Sequence, residues 1–272
     1  MTFLQTLIFA IVQGVTELFP ISSLAHSVLT PYILYWNLSQ EFLNQNFLPY
    51  LVMLHLGTTL ALLIFFWREW LEIIRSLFTR GQKRLLILII VGSIPAGLIG
   101  LVLQNPLTRH FGNVPSAAFF LIVNGLLLYY GEKIRSRGWK KIDDLTYVET
   151  LVIGLFQALA LVPGFSRSGA SITAGFWAGL KHEDAVRFSM LLATPIIAAA
   201  GLLEVPKLAK TGIHGLWQMS LIGGILAGIF AYISVTILMR WFKKNEISAM
   251  KPFAYYCWIV GGLVLASCLW VR

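Results

Sequence analysis

Charge is scarce in this chain of 272 residues. Asp, Glu, Lys and Arg together make up 12% of it, against about 25% in a soluble domain. That shortage excludes an ordinary soluble protein with a solvated surface. Cysteine is scarcer still. Cys257 and Cys268 lie in one apolar stretch, and on a helix their spacing is roughly 16 Å. They cannot bridge each other and lack the spacing of a metal site, so they read as packing residues. The 21 Lys and Arg are dispersed over loops. No basic patch suggests a nucleic-acid partner, and the net charge of +9 suits anionic lipid headgroups instead. The opening "MTFLQTLIFA" has neither a basic n-region nor a small-x-small cleavage site. It is expected to be membrane segment and not signal peptide.

What the chain has in excess is apolar surface: 57% hydrophobic residues, with 18 Phe and 9 Trp. Six stretches have the length a bilayer crossing needs, about 20 residues. They are 48–67, 84–104, 115–131, 188–205, 217–239 and 253–271. Trp67, Trp70, Tyr129, Tyr130, Trp217, Trp241 and Trp270 sit near their ends, as interfacial belts do. Two further segments, 3–36 and 148–179, open apolar and turn polar midway.

The basic residues decide how those two segments run. If each dips in and returns to its own side, with 68–84 cytoplasmic, the inside carries 16 Lys and Arg and the outside 4 (Arg109, Lys207, Lys210, Arg272). If each crosses once, the split falls to 13 against 7. The positive-inside rule therefore favours two re-entrant hairpins, six spans and both termini outside. The expected fold is an all-α polytopic membrane protein, one integral membrane domain over 1–272. Its first repeat covers 1–131 and its second 148–272. Three spans follow each hairpin, so the second half is inverted relative to the first, an arrangement common in transporters. "FAIVQGVTELFPISS" and "IGLFQALALVPGFSRS" align with Gln13 over Gln157 and Ser22 over Ser166.

Irregular backbone at membrane depth must be buried in protein or face a wet cavity. Pro20 and Pro163-Gly164 would break the two hairpins near their tips, and chemistry-bearing residues gather there. In "PGFSRSGASIT", Arg167 is the sole Lys or Arg of either hairpin, and an intramembrane charge is functional by default. With Ser166, Ser168, Gly169, Ser171 and Thr173 ahead of an apolar helical run, it makes a phosphate-binding candidate. Pairing with Glu17 is the alternative, and the two are compatible when no ligand is bound. In "QGVTELFPISSLAH", Gln13 and Glu17 share a helix face. They could hold Mg²⁺ or Ca²⁺, or Glu17 could act as a base. Ser22, Ser23 and His26 follow, and serine, histidine or water could be the nucleophile. His55 and Asn124 lie inside spans and read as interhelical contacts, with His55 also able to line the cavity.

These two stretches resemble the signatures of the bacterial undecaprenyl-diphosphate phosphatase family, the BacA or UppP type. "RFSMLLATPIIAAA" resembles a third segment of that family, and the likeness covers the full length in order. The resemblance implies hydrolysis of a C55 polyprenyl diphosphate to the monophosphate, recycling the lipid carrier of cell-wall synthesis. It also implies bacitracin tolerance, a divalent cation, a bacterial inner-membrane location and a site facing the extracytoplasmic side. The family roles fall on Glu17, Ser22, Ser23, His26, Ser166, Arg167, Ser168 and Thr173. Position 13 is Gln where many members have Glu, and Ala25 stands where Gly is commoner. The partner is the lipid substrate within the membrane, and a homo-oligomer is compatible with this reading. The competing reading is a polyprenyl-phosphate transporter or flippase, which the inverted repeat favours. A site that only binds would not need Glu, Ser and His side by side.

Overall fold

Thr2 begins α1 (Phe3–Thr16) with a capping box. Its hydroxyl accepts from the Gln5 amide while the Gln5 side chain accepts from the Thr2 amide. At 14 residues, α1 is about 21 Å long, too short to cross a hydrocarbon core of about 30 Å. A turn holding Pro20 leads to a second short helix, α2 (Ser23–Ile33), which packs against α1. The second half repeats the pattern. Thr146 and Glu149 form the capping box of α7 (Tyr147–Ala158), and beyond the turn at Pro163-Gly164, α8 (Arg167–Ala178) packs against α7. This computed structural model describes residues 1–39, 41–78, 83–110, 113–134, 138–210, 215–245 and 248–270. Of the basic residues counted above, Arg80, Arg135, Arg137 and Arg272 lie outside that set.

Among the described residues, six helices are long and apolar enough to cross a membrane. They are α3 (Phe47–Phe65), α5 (Arg84–His110), α6 (Val114–Lys133), α9 (His182–Ala209), α10 (Leu216–Lys244) and α11 (Lys251–Trp270). Each contains or closely matches one predicted span. The stretch 68–84, expected as a loop, instead holds a helix over most of its length, α4 (Trp67–Phe78). Its apolar residues Trp67, Trp70, Leu71, Ile74 and Phe78 fall at helical spacing. Glu69 pairs with Arg187 of α9 at 3.2 Å. Large apolar side chains such as Val102, Leu202 and Ile225 are exposed on the spans, the surface that lipid covers.

Packing pairs elements across the two halves. α1 lies on α10, with Thr6 near Gly223 and Gly14 near Ala227, while α7 lies on α5 with Gly154 near Gly92. Both short helices run beside the first half of a long one. α3 meets α9 and α6 meets α11. Exchanging the halves maps each of these pairs onto itself or onto another. The amides of Trp139 and Lys140 donate to the Gly179 carbonyl (3.1 and 2.9 Å), and Lys181 donates back to Lys140 (3.0 Å). The chain ahead of α7 and the chain leaving α8 therefore lie together.

Candidate active site

Two strained turns bring two helix N-termini to one place. Ser22 has φ 68°, a conformation uncommon outside glycine. From there its hydroxyl caps α2, accepting from the Ala25 amide at 3.3 Å. Gly164 has φ 123°, and a Cβ there would stand 2.3 Å from Phe120 Cβ, so glycine is required. The turn it makes lets Ser166 cap α8, its hydroxyl accepting from the Gly169 amide at 3.1 Å. Ser22 and Ser166 are the serines that the sequence alignment of the two halves pairs. Asn124 braces both turns. It donates to the Pro20 carbonyl (3.0 Å) and accepts from the Ser166 amide (2.9 Å).

Glu17 sits between the turns, 6% exposed. Its Oε1 faces Arg167, which donates from Nε at 3.3 Å and from Nη2 at 3.2 Å. The third guanidinium nitrogen, Nη1, donates to the Ser189 carbonyl at 3.0 Å. The other oxygen, Oε2, accepts from Ser23 Oγ at 2.6 Å and from Gln13 Nε2 at 3.3 Å. His55 Nε2 stands 3.2 Å from it. His55 Nδ1 donates to the Leu51 carbonyl at 2.8 Å, and its Nε2 is 3.5 Å from Ser23 Oγ. A serine hydroxyl this close to a carboxylate has a proton acceptor within reach. The free N–H groups of α2 and α8, with Arg167, supply positive potential for a phosphoryl group beside it.

Other sequence-predicted residues lie at different distances from this centre. His26 donates from Nδ1 to the Ser22 carbonyl (2.7 Å) and turns Nε2 to the Tyr256 hydroxyl (2.8 Å), away from Ser23. Ser168 is 3.1 Å from Ser166 Oγ and donates to the Phe19 carbonyl at 3.3 Å. Ser171 bonds Ser189 Oγ at 2.7 Å, behind Arg167. Thr173 is buried against Gly131. Gly169 serves the cap. Reading by sequence gave His55 no partner. The signal for it was a histidine at the centre of an apolar span.

The centre opens on a cavity of about 120 Å³ whose wall includes Glu17, Ser23, His55, Gln157, Ser166 and Arg167. A second, apolar cavity of about 270 Å³ shares Leu24, Ala96, Ala160, Leu161 and Ile196 with the first. It continues past Val52, Leu101 and Leu203 to Glu204. Among the described residues, no three His, Cys, Asp or Glu side chains come together as a metal cage. Glu17 is the one carboxylate on the wall of the first cavity, and both its oxygens are engaged, one of them by a guanidinium. Gln13 Oε1 is buried beside it with no hydrogen-bond partner, so Gln13 and Glu17 would be the residues to hold a divalent cation, which substrate phosphate and water would complete.

Residues 6–263 match the family described as bacitracin resistance protein BacA. The chain is 53% identical over 268 residues to undecaprenyl-diphosphatase 2 of Oenococcus oeni, covering 98% of this chain and 99% of that one. It is 46% identical to undecaprenyl-diphosphatase 2 of Chromobacterium violaceum, over 96% of this chain and 97% of the relative. With the undecaprenyl-diphosphatase of Acidiphilium cryptum it shares 45% identity, over 97% and 98% of the two chains.

Proposed function

The chain belongs to the family of bacitracin resistance protein BacA, and we infer that it is an undecaprenyl-diphosphatase, releasing inorganic phosphate from the polyprenyl diphosphate. The product, the lipid monophosphate, returns as carrier to cell-wall synthesis, and the same activity gives bacitracin tolerance. The observation that carries the chemical reading is Ser23 Oγ at 2.6 Å from Glu17, beneath two helix N-termini and beside Arg167.

The steps follow from those contacts. The diphosphate displaces Glu17 from part of the Arg167 fork, and its terminal phosphoryl group takes the guanidinium and the α2 and α8 amides. Ser23 Oγ attacks the terminal phosphorus and its proton passes to Glu17 Oε2. The bridging P–O bond breaks, and the departing lipid phosphate takes that proton from Glu17. Water then attacks the phosphoserine. Its proton passes by way of Glu17 to Ser23 Oγ, and inorganic phosphate leaves. His55 and Gln13 hold the carboxylate in place at Oε2, the oxygen Ser23 faces. The apolar cleft that continues from the site suits the first isoprene units of the tail. The deciding experiment is phosphate release from a polyprenyl diphosphate by the purified protein. Ser23→Ala should abolish it, and full activity in that variant would remove Ser23 as nucleophile.

The two pairs of short helices are read as re-entrant hairpins of an inverted repeat. Their length, the joined ends of the second pair and the exchange of packing partners between halves support this. Sidedness follows from the loops. With the Lys- and Arg-rich loops cytoplasmic, both termini face outside. Val52, Leu101 and Leu203, on the cleft wall, then lie in the outer halves of their helices. Hydrolysis is accordingly assigned to the extracytoplasmic side of the bacterial inner membrane. Sealed right-side-out vesicles should release phosphate from a short-chain diphosphate that cannot cross. Inverted vesicles should do so only after permeabilisation. The reverse pattern would favour the transporter reading, in which the site must open to both sides.

A further inference from the structure

Gln157 is 2% exposed, and neither Nε2 nor Oε1 of its amide has a hydrogen-bond partner. Leaving one buried polar atom unpaired costs about 1–3 kcal/mol, and here a donor and an acceptor are left on one side chain. Such an arrangement persists where the missing partner is a ligand or water. Gln157 stands on the wall of the cavity that holds Glu17, Ser23 and Arg167, so the missing partner is to be sought there.

The repeat explains how the amide came to be free. Gln157 aligns in sequence with Gln13, and Gln13 spends its Nε2 on Glu17, four residues on. In the second half the residue four positions on is Leu161, which offers nothing polar. α7 ends at Ala158 and passes into a 3₁₀ turn over Leu159–Leu161, so Gln157 stands in the last turn of α7, ahead of the tip at Pro163-Gly164. The first-half glutamine orients the base. Its counterpart has kept the amide and lost the carboxylate partner.

We propose that Gln157 seats the hydrolytic water of the second step, Nε2 donating to a phosphoryl oxygen and Oε1 accepting from the water. An amide offers one donor and one acceptor side by side. A phosphoryl oxygen and an attacking water supply the complementary acceptor and donor. Glutamine orienting a water for attack on phosphorus is a known use of this side chain. In the step itself the water oxygen–phosphorus bond forms as the P–Oγ bond of phosphorylated Ser23 breaks. The water proton goes to Glu17 and from there to Ser23 Oγ, which keeps the bonding pair. Gln157 takes no proton. It is a catalytic residue in the sense that it touches the reacting water. This inference rests on the phosphoserine reading above.

Gln157→Leu removes both orphaned atoms at nearly constant volume. The variant should unfold at the same temperature as the unsubstituted protein or higher, because unpaired polar atoms are gone. Its steady-state turnover should fall roughly 10²-fold, and KM should fall with it so that kcat/KM stays nearly unchanged, because only the second step is slowed. On mixing with a short-chain polyprenyl diphosphate it should release about one lipid monophosphate per protein in a burst, then stall. Phosphate should be found on Ser23 by mass spectrometry. Gln157→Glu should stall in the same way, since it loses the donor. Near-normal turnover of Gln157→Leu overturns the proposal. So does lost activity with a lowered unfolding temperature, which marks a structural role. A raised KM without phosphoprotein overturns it as well, since it marks a contact to the diphosphate only. If the unsubstituted protein releases no phosphate, or Ser23→Ala retains turnover, the phosphoserine reading fails and takes this inference with it. Normal turnover in Gln157→Leu beside a dead Ser23→Ala overturns this inference alone.

Discussion

Glu17 has two oxygens, and Arg167, Ser23, Gln13 and His55 are all aimed at them. Replacing it by Gln keeps the size and removes the negative charge, so Ser23 loses its proton acceptor. Turnover of Glu17→Gln should fall by about 10²-fold or more while the protein still folds. Phosphate release near the unsubstituted rate would take Glu17 out of the mechanism. Arg167 spreads three nitrogens over Glu17 and the Ser189 carbonyl. A lysine carries the charge but no fork, so Arg167→Lys should lose nearly as much turnover as Arg167→Ala. The alanine variant should also lose roughly 3–5 kcal/mol of stability, because a buried pair loses one partner. A fully active lysine variant would reduce Arg167 to a diffuse charge. Glu17, Ser23 and Arg167 were legible in the sequence because each is a polar group surrounded by apolar residues. His55 read as an interhelical contact that could also line the cavity, and Gln157 only as the counterpart of Gln13. The place of each at the site depends on contacts that only the fold makes.

At the scale of elements, helix ends near the sequence breaks were readable because proline, glycine and capping residues mark them. α4 was not, since its charges hid an amphipathic pattern inside what counted as a basic loop. The apolar cleft could not be read either. It is built from α2, α3, α5 and α9 together, and apolar residues facing a cavity look the same in sequence as those facing lipid. Gly97 of α5 lies on its wall, and a Cβ there would meet nothing within 4 Å. Gly97→Phe should therefore leave the unfolding temperature nearly unchanged. It should lower turnover of a long-chain diphosphate several-fold more than that of a short-chain one. An equal effect on both would place the tail elsewhere.

For the whole molecule, the distribution of Lys and Arg makes an assertion about sides that labelling can check. Lys141 and Lys210 are both exposed. Single cysteines at these positions, with Cys257 and Cys268 replaced, should differ in intact cells. Lys210→Cys should react with an impermeant thiol reagent and Lys141→Cys should be shielded. Labelling at both would refute the six-span arrangement. Loop charge carries this expectation without reference to any contact. The meeting of the two turns was less so. The halves share few identities, and Asn124, which ties Pro20 to Ser166, belongs to neither signature.

The cleft past Leu101 and Leu203, residues whose side chains are largely exposed on the lipid-facing surface, also fixes what concentration means for this protein. A tail entering sideways arrives by diffusion in the plane of the bilayer. The rate then depends on how many substrate molecules there are per lipid, and the amount per volume of buffer is immaterial. Adding inert phospholipid to vesicles while holding total substrate constant should slow hydrolysis in proportion to the dilution of the surface. Enlarging the aqueous volume around the same vesicles should change nothing.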